Sequence, residues 1–339
     1  MAAVVATIPV GNFPGVVAVG PDGAHAYVVN CLGGTMSVID TASNTVSATF
    51  PISSNPRALA LSSDGALAYV TNSEDNDFVA VIDTAANAIV TTIPVGAIPN
   101  GVAVTPDGTH AYVANGSGGT VSVIDTATNT VTATVAVGDN PEGVAFTSDG
   151  TAAYVSNIDD GTVSVIDTAT NAIITTISTG GRPDVVAVSP DSAHAYISTF
   201  TDGTVLVIDT ASNTVVATVA VGAGPAGVAF SPDGTHVYVT NSNDRTVSVI
   251  SVAAVPFDDS HIPDLFGELL GGVTRDGGGW LVIGNHFIPI PPRSPVAAII
   301  ARAVAPDLGR AIENPKLGRH IRNVLQNPKG RDAANILCA

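Results

Sequence analysis

Basic charge is what this 339-residue chain has least of: 12 Lys and Arg stand against 29 Asp and Glu, a formal net charge of −17. The shortage is uneven. Residues 1–251 carry only Arg57, Arg182 and Arg245 against 21 carboxylates, while residues 252–339 are close to neutral. So negative a surface repels phosphate backbones, which argues against nucleic acid as a partner. Aromatic residues make up 5% of the chain, so a core must be built from small and β-branched aliphatics. With only Cys31 and Cys338, a disulfide scaffold and a cysteine-rich zinc site are excluded. A bond tying Cys338 back to Cys31 and two unpaired thiols both stay open. No uncharged apolar run reaches the length of about 18 residues that a membrane span needs. No basic segment precedes the apolar stretch Ala2–Val10, so no signal peptide is read there.

What is present is repetition. Tyr27, Tyr69, Tyr112, Tyr154, Tyr196 and Tyr238 recur at steps of 42, 43, 42, 42 and 42, and Asp40, Asp83, Asp125, Asp167 and Asp209 keep the same register. A period near 42 is the length of one four-stranded propeller blade. Within one unit, Gly143–Phe146, Ala153–Ser156, Val163–Ile166 and Ile173–Ile177 read as four short strands. Asp149-Gly150 marks one turn and Asp167–Asn171 another. Gly supplies the positive φ of a tight turn, and Asp and Asn side chains hydrogen-bond their own backbone. The repeated aspartates therefore read as turn caps.

The expected fold is all-β: six four-stranded antiparallel blades over residues 1–255, followed by a small, mostly helical extension over 256–339. The chain opens inside a fourth-strand pattern (Ala3–Val10), and the sixth unit stops after its third strand (Val247–Ile250). The first strand is thus expected to complete the last blade and close the ring, hiding both sheet edges. A chain that starts in mid-blade also reads as a fragment of a longer one.

Tyr69-Val70-Thr71-Asn72 and Tyr238-Val239-Thr240-Asn241, with Ser231-Pro232-Asp233-Gly234 and Val123-Ile124-Asp125-Thr126, resemble the YVTN (YncE-like) β-propeller repeats of surface-layer and cell-envelope proteins. The resemblance covers about 250 residues. It implies a binding or structural module placed outside the cytoplasm or at the cell surface, with no shared catalytic residues. Relatives with seven blades leave open whether the extension adds a seventh.

In that extension, Ile262–Leu270, Pro295–Val304, Pro315–Gln326 and Pro328–Leu337 read as helices, the last two opened by Asn-Pro. Trp280–Ile283 and His286–Ile290 read as a hairpin around Gly284-Asn285. Docking on the propeller and docking on a partner both remain open for it.

Function is sought where repeats disagree, because residues shared by all six serve the shared fold. After the proline that opens each unit stand Gly15, Arg57, Asn100, Glu142, Asp184 and Ala226, expected to ring the channel mouth. The second-to-third-strand loops add Asp75, Asp159, Asp160 and Phe200. Arg57, Asn100, Glu142, Asp184, Asp75, Asp159, Asp160 and Phe200 form the candidate ligand site. Calcium is the candidate cofactor, since it takes six to eight oxygens from such loops. His25, His110, His194 and His236 occupy equivalent positions in separate blades and are expected to stay apart, so no zinc site is read. The leading function is a non-catalytic scaffold that binds a protein or glycan. The alternatives are a lactonase- or lyase-like enzyme with a metal at the mouth, and a propeller that presents its extension to a partner.

Overall fold

The computed structural model describes residues 5–73 and 77–252, and the backbone of three strands at 269–273, 279–283 and 286–290. The chain divides into two compact units, Met1–Ala253 and Ala254–Ala339. The first is a six-bladed β-propeller. Blade four shows the pattern: strands Pro141–Phe146, Ala152–Asn157, Thr162–Asp167 and Ala172–Ser178 pair in sequence order, all antiparallel. Blades one, two, three and five repeat it. The strands begin a residue or two earlier than the apolar runs, because the residues flanking each run also join the ladder.

The turns follow the sequence. Asp167 accepts hydrogen bonds from the Thr170 amide and hydroxyl, both at 2.8 Å, and Asp125 and Asp209 do the same for Thr128 and Ser212. Asn44, Asn87, Asn129, Asn171 and Asn213 take the left-handed conformation in these turns, as a short polar side chain permits.

Blades are joined by a repeated apolar contact. Tyr27, Tyr69, Tyr112, Tyr154 and Tyr196 each pack on the first strand of the following blade: Leu59 and Leu61, Val102 and Val104, Val144 and Phe146, Val186 and Val188, Val228 and Phe230. The Tyr112 and Tyr196 rings meet Phe146 and Phe230 edge-on at 5.0 Å. A buried tyrosine hydroxyl usually finds a partner, although that of Tyr69 has none among the described residues. Tyr112 donates to Asn171 and Tyr154 to Asn213, each in the next blade's turn. The same asparagine thus shapes its own turn and receives its neighbour.

The latch expected from the N-terminal strand is not formed among the described residues. The sixth sheet has three strands, Pro225–Phe230, His236–Asn241 and Thr246–Ser251, and residues 5–10 lie in no strand. The segment that follows them is held at blade one instead. The Cys31 amide donates to the Phe13 carbonyl and the Gly33 amide to the Asn12 carbonyl, while Gly11 lies so close to Asn30 that a Cβ would strike it at 2.5 Å.

In the second unit, Gly279–Ile283 pairs antiparallel with His286–Ile290, as the hairpin reading expects. Leu269–Val273 adds a third strand, which corrects the end of the helix read over Ile262–Leu270, since backbone pairing outweighs local propensity there. The three helices read beyond Pro295 lie outside the described residues.

Candidate mouth site

Each first strand opens with a proline, and the ladder slips between that proline and the middle of the strand in every blade. The residue after the proline therefore sits in a bulge, outside regular pairing, a geometry that re-aims side chains. Gly15, Arg57, Asn100, Glu142, Asp184 and Ala226 occupy this position at one end of the propeller.

A hydroxyl relay fixes their backbone. The Thr71 hydroxyl accepts from the Ala58 amide (3.0 Å) and donates to the Asn100 carbonyl of the next blade (2.7 Å). Ser156 links Gly143 to Asp184, and Ser198 links Val185 to Ala226, in the same way. The third letter of the Tyr-Val-Thr/Ser-Asn motif is thus a clamp between blades, a role that a reading one repeat at a time does not find. Glycine completes the approach: a Cβ on Gly101 would lie 2.1 Å from the Glu142 carbonyl oxygen.

Arg57, Asn100, Glu142 and Asp184 come from consecutive blades two to five. Arg57 Nη1 donates to Asn100 Oδ1 (2.5 Å), and Asn100 Nδ2 donates to the Pro141 carbonyl (3.1 Å). Asn100 is buried; Glu142 and Asp184 are half-buried. Burial, together with the Asp184 charge and against the opposing field of Arg57, pushes the Glu142 carboxyl up to about 7. Burial also raises Asp184, with Arg182 lowering it. Arg57 forms no ion pair with either carboxylate: the ion pair among the described residues is Arg182 with Asp159, exposed and 3.3 Å long. The mouth thus has a guanidinium–amide side and a carboxyl side whose two acids lack a protein hydrogen-bond donor among the described residues.

The loop residues read with the mouth do other work. Asp160 accepts the Asp139 amide (2.8 Å), and Asp244 accepts that of Ala223 (2.6 Å), each capping the segment leading into its own blade. Asp159 stays with Arg182 on the surface. Phe200 is exposed, its amide bonded to the Arg182 carbonyl. Asp75 lies outside the described residues. Among the described residues no three His, Cys, Asp or Glu side chains come together at a position that could hold a metal ion. His25, His110 and His194 pair in register with Asp40, Asp125 and Asp209 at the turn end of their blades, each in its own sheet. A shallow cleft between blades one and two, lined by Leu32, Pro51, Ile52 and Ile89, holds no titratable group.

The family model "Cytochrome D1 heme domain" matches residues 67–189, which run from the second strand of blade two into blade five. No curated protein matches the chain. Among solved structures, Kuenenia stuttgartiensis hydrazine synthase is 21% identical with a TM-score of 0.52, over 75% of this chain and 99% of the other. A functionally unknown protein from Desulfotomaculum acetoxidans DSM 771 is 19% identical with a TM-score of 0.63, over 72% and 84%. At these identities the likeness is one of fold.

The heme named by the family model can be tested against the donors present. The mouth offers a guanidinium, an amide and two carboxyls, and no His, Cys, Met or Tyr stands at any of its six positions. The repeat tyrosines of blades one to five are buried between blades, and Met36 is fully enclosed. The six mouth residues themselves supply no imidazole nitrogen or sulfur as an axial ligand; the Cys31 thiol lies against one of them, Gly15.

Proposed function

We propose that this chain is a non-catalytic binding module whose mouth holds a cationic side chain, Lys or Arg, of a protein partner. The observation that carries this reading is the pair Glu142 and Asp184, half-buried side by side with both carboxyls pushed up. Both carboxyls are raised chiefly by burial, which leaves a carboxylate there short of water, and a bound cation would supply the stabilisation that the ionised form lacks. The 21 acids of residues 1–251 extend the same field outward and would steer a basic partner inward. Residence at the cell surface or otherwise outside the cytoplasm is part of the proposal, and rests on the YVTN-like motifs.

Calorimetric titration of the full chain with a lysine-rich peptide, beside a neutral oligosaccharide, tests it. Peptide binding should tighten from pH 6 to pH 8 as Glu142 ionises, and weaken about tenfold in Glu142→Gln/Asp184→Asn. Oligosaccharide binding that survives the double substitution, with none for the peptide, would replace the cationic ligand with a glycan. A heme-related role is the second reading, favoured only by the family match over residues 67–189. A Soret band appearing on titration with hemin, and lost in Glu142→Gln/Asp184→Asn, would move the assignment there.

A further inference from the structure

Five blade-to-blade contacts are alike, and each has two halves. One half is the repeat tyrosine with two apolar third-strand side chains beside it, and in blades two, four and five the clamp hydroxyl above. The other is a pair of apolar side chains on the next first strand, joined in blades two to five by the asparagine of that blade's turn. In blade four, Tyr154, Val163 and Val165 are at most 1% exposed, and Asn87 and Asn129 of blades two and three bury their side-chain oxygens.

Both halves occur once more, without each other. Blade six presents Tyr238 (46% exposed), Val247 (56%) and Val249 (55%), with Thr240 bonded to the Gly227 amide (2.8 Å). Thr240 has no acceptor in a following blade of this chain among the described residues, unlike Thr71, Ser156 and Ser198. Blade one presents Val17 (63%) and Val19 (59%), at the positions of Val144 and Phe146 in blade four. Its Asn44 is exposed in the turn where Asn87 and Asn129 are half-buried with their side-chain oxygens out of contact with water. Residues that merely faced water would not need to keep a tyrosine, two valines and a hydroxyl at interface register.

We propose that these faces are the two halves of a head-to-tail contact between copies of this chain, blade six of one copy seating on blade one of the next. The occupant is named by the five internal contacts: what fits the Tyr238 face is a blade-one face, and among the described residues nothing covers either. In the contact Tyr238 packs on Val17 and Val19 of the next copy and donates to its Asn44, while Thr240 donates to its Gly15 carbonyl. A contact between two different faces leaves one of each free on every dimer, so it builds on into a closed ring or an open chain of molecules. Because the seam is apolar and each copy strongly negative, salt should strengthen the association by screening the repulsion between copies.

The test is sedimentation of the full chain over a hundredfold concentration range, with Val17→Asp and Tyr238→Asp. The wild type is expected to grow past dimer with concentration, and more so at higher salt. Each variant keeps one sound face and should sediment as a monomer alone, whereas an equimolar mixture of the two should stop at dimer, since one intact pair of faces remains. Circular dichroism on each variant shows that it is folded. A wild type that stays monomeric at every concentration, or a mixture of folded variants that stays monomeric, would overturn the proposal. The first result would instead place the blade-six face on blade one of its own chain.

Discussion

The two rims of the propeller carry the same chemical group in opposite states. At the turn rim, Asp167 takes two hydrogen bonds from Thr170, and these hold its carboxyl below the usual range; at Asp233 the hydroxyl of Ser231 and the amide and hydroxyl of Thr235 bring it to about 2. At the mouth rim, Glu142 is withdrawn from water beside Asp184 and rises to about 7. Neither state follows from acidity as such. Local donors supplied by the turn decide the first, and burial beside a like charge decides the second. Repetition sorts them: the lowered acids recur in blade after blade, while the raised ones each occur once.

If that division is sound, stability belongs to the repeated framework. Tyr154 is fully buried, and Tyr154→Ala is expected to cost about 3–5 kcal/mol through cavity and lost contact. Tyr154→Phe removes only the hydroxyl bonded to Asn213 and should cost about 1 kcal/mol. Urea unfolding of the full chain measures both. A mouth substitution as costly as Tyr154→Ala would break the division, because it would make the variable ring part of the framework.

Much of that framework is legible in the sequence. The period sets blade length, and the aspartates and asparagines mark turns for reasons that act within a few residues. The tyrosine spacing gives the period without saying what the ring meets, since Phe146 and Asn171 belong to the following repeat. The mouth is legible as a position and not as a state. Proline followed by a variable residue locates Glu142, but its protonation depends on Asp184, 42 residues away, and on an arginine two blades back. The acidic loops mislead for a related reason. Asp160 reads as a free ligand because its acceptor role is filled by the Asp139 amide, 21 residues earlier. The latch also fails to follow from pattern alone, since a fourth-strand sequence does not specify which sheet edge it reaches.

The rims should respond to pH with opposite sign. For Glu142 the folded value, about 7, lies above the ordinary 4.5, so the folded state binds the proton more tightly. The stability this brings is complete below the unfolded value and is lost as pH rises through the folded one. Glu142→Gln keeps the neutral form and should therefore stabilise the protein at pH 8, by about 1–2 kcal/mol after allowance for solvent screening, and leave it unchanged at pH 4. Asp167 runs the other way. Its contribution is present above the ordinary 3.8 and is lost as pH falls through its lowered value, so Asp167→Asn should lower the midpoint at neutral pH and lose its effect in acid. Melting curves of both variants across that range decide the matter, and two profiles of the same sign would remove the distinction between rims.

The smallest effect tests whether the mouth is one electrostatic unit. Arg57 opposes the rise of Glu142, although its guanidinium is bonded to Asn100 and not to the carboxylate. Arg57→Met retains much of the apolar stem and removes the charge, so the Glu142 carboxyl should titrate above its present value, read directly from its side-chain carbon resonance. Part of any stability change will come from Asn100 Oδ1, which loses its donor at a buried position and should cost about 1 kcal/mol. The titration midpoint separates the two causes, because an orphaned amide costs stability at every pH, whereas a missing cation moves the midpoint. An unmoved midpoint would mean that Arg57 only positions Asn100, and that the carboxyl side alone sets the field a cationic ligand meets.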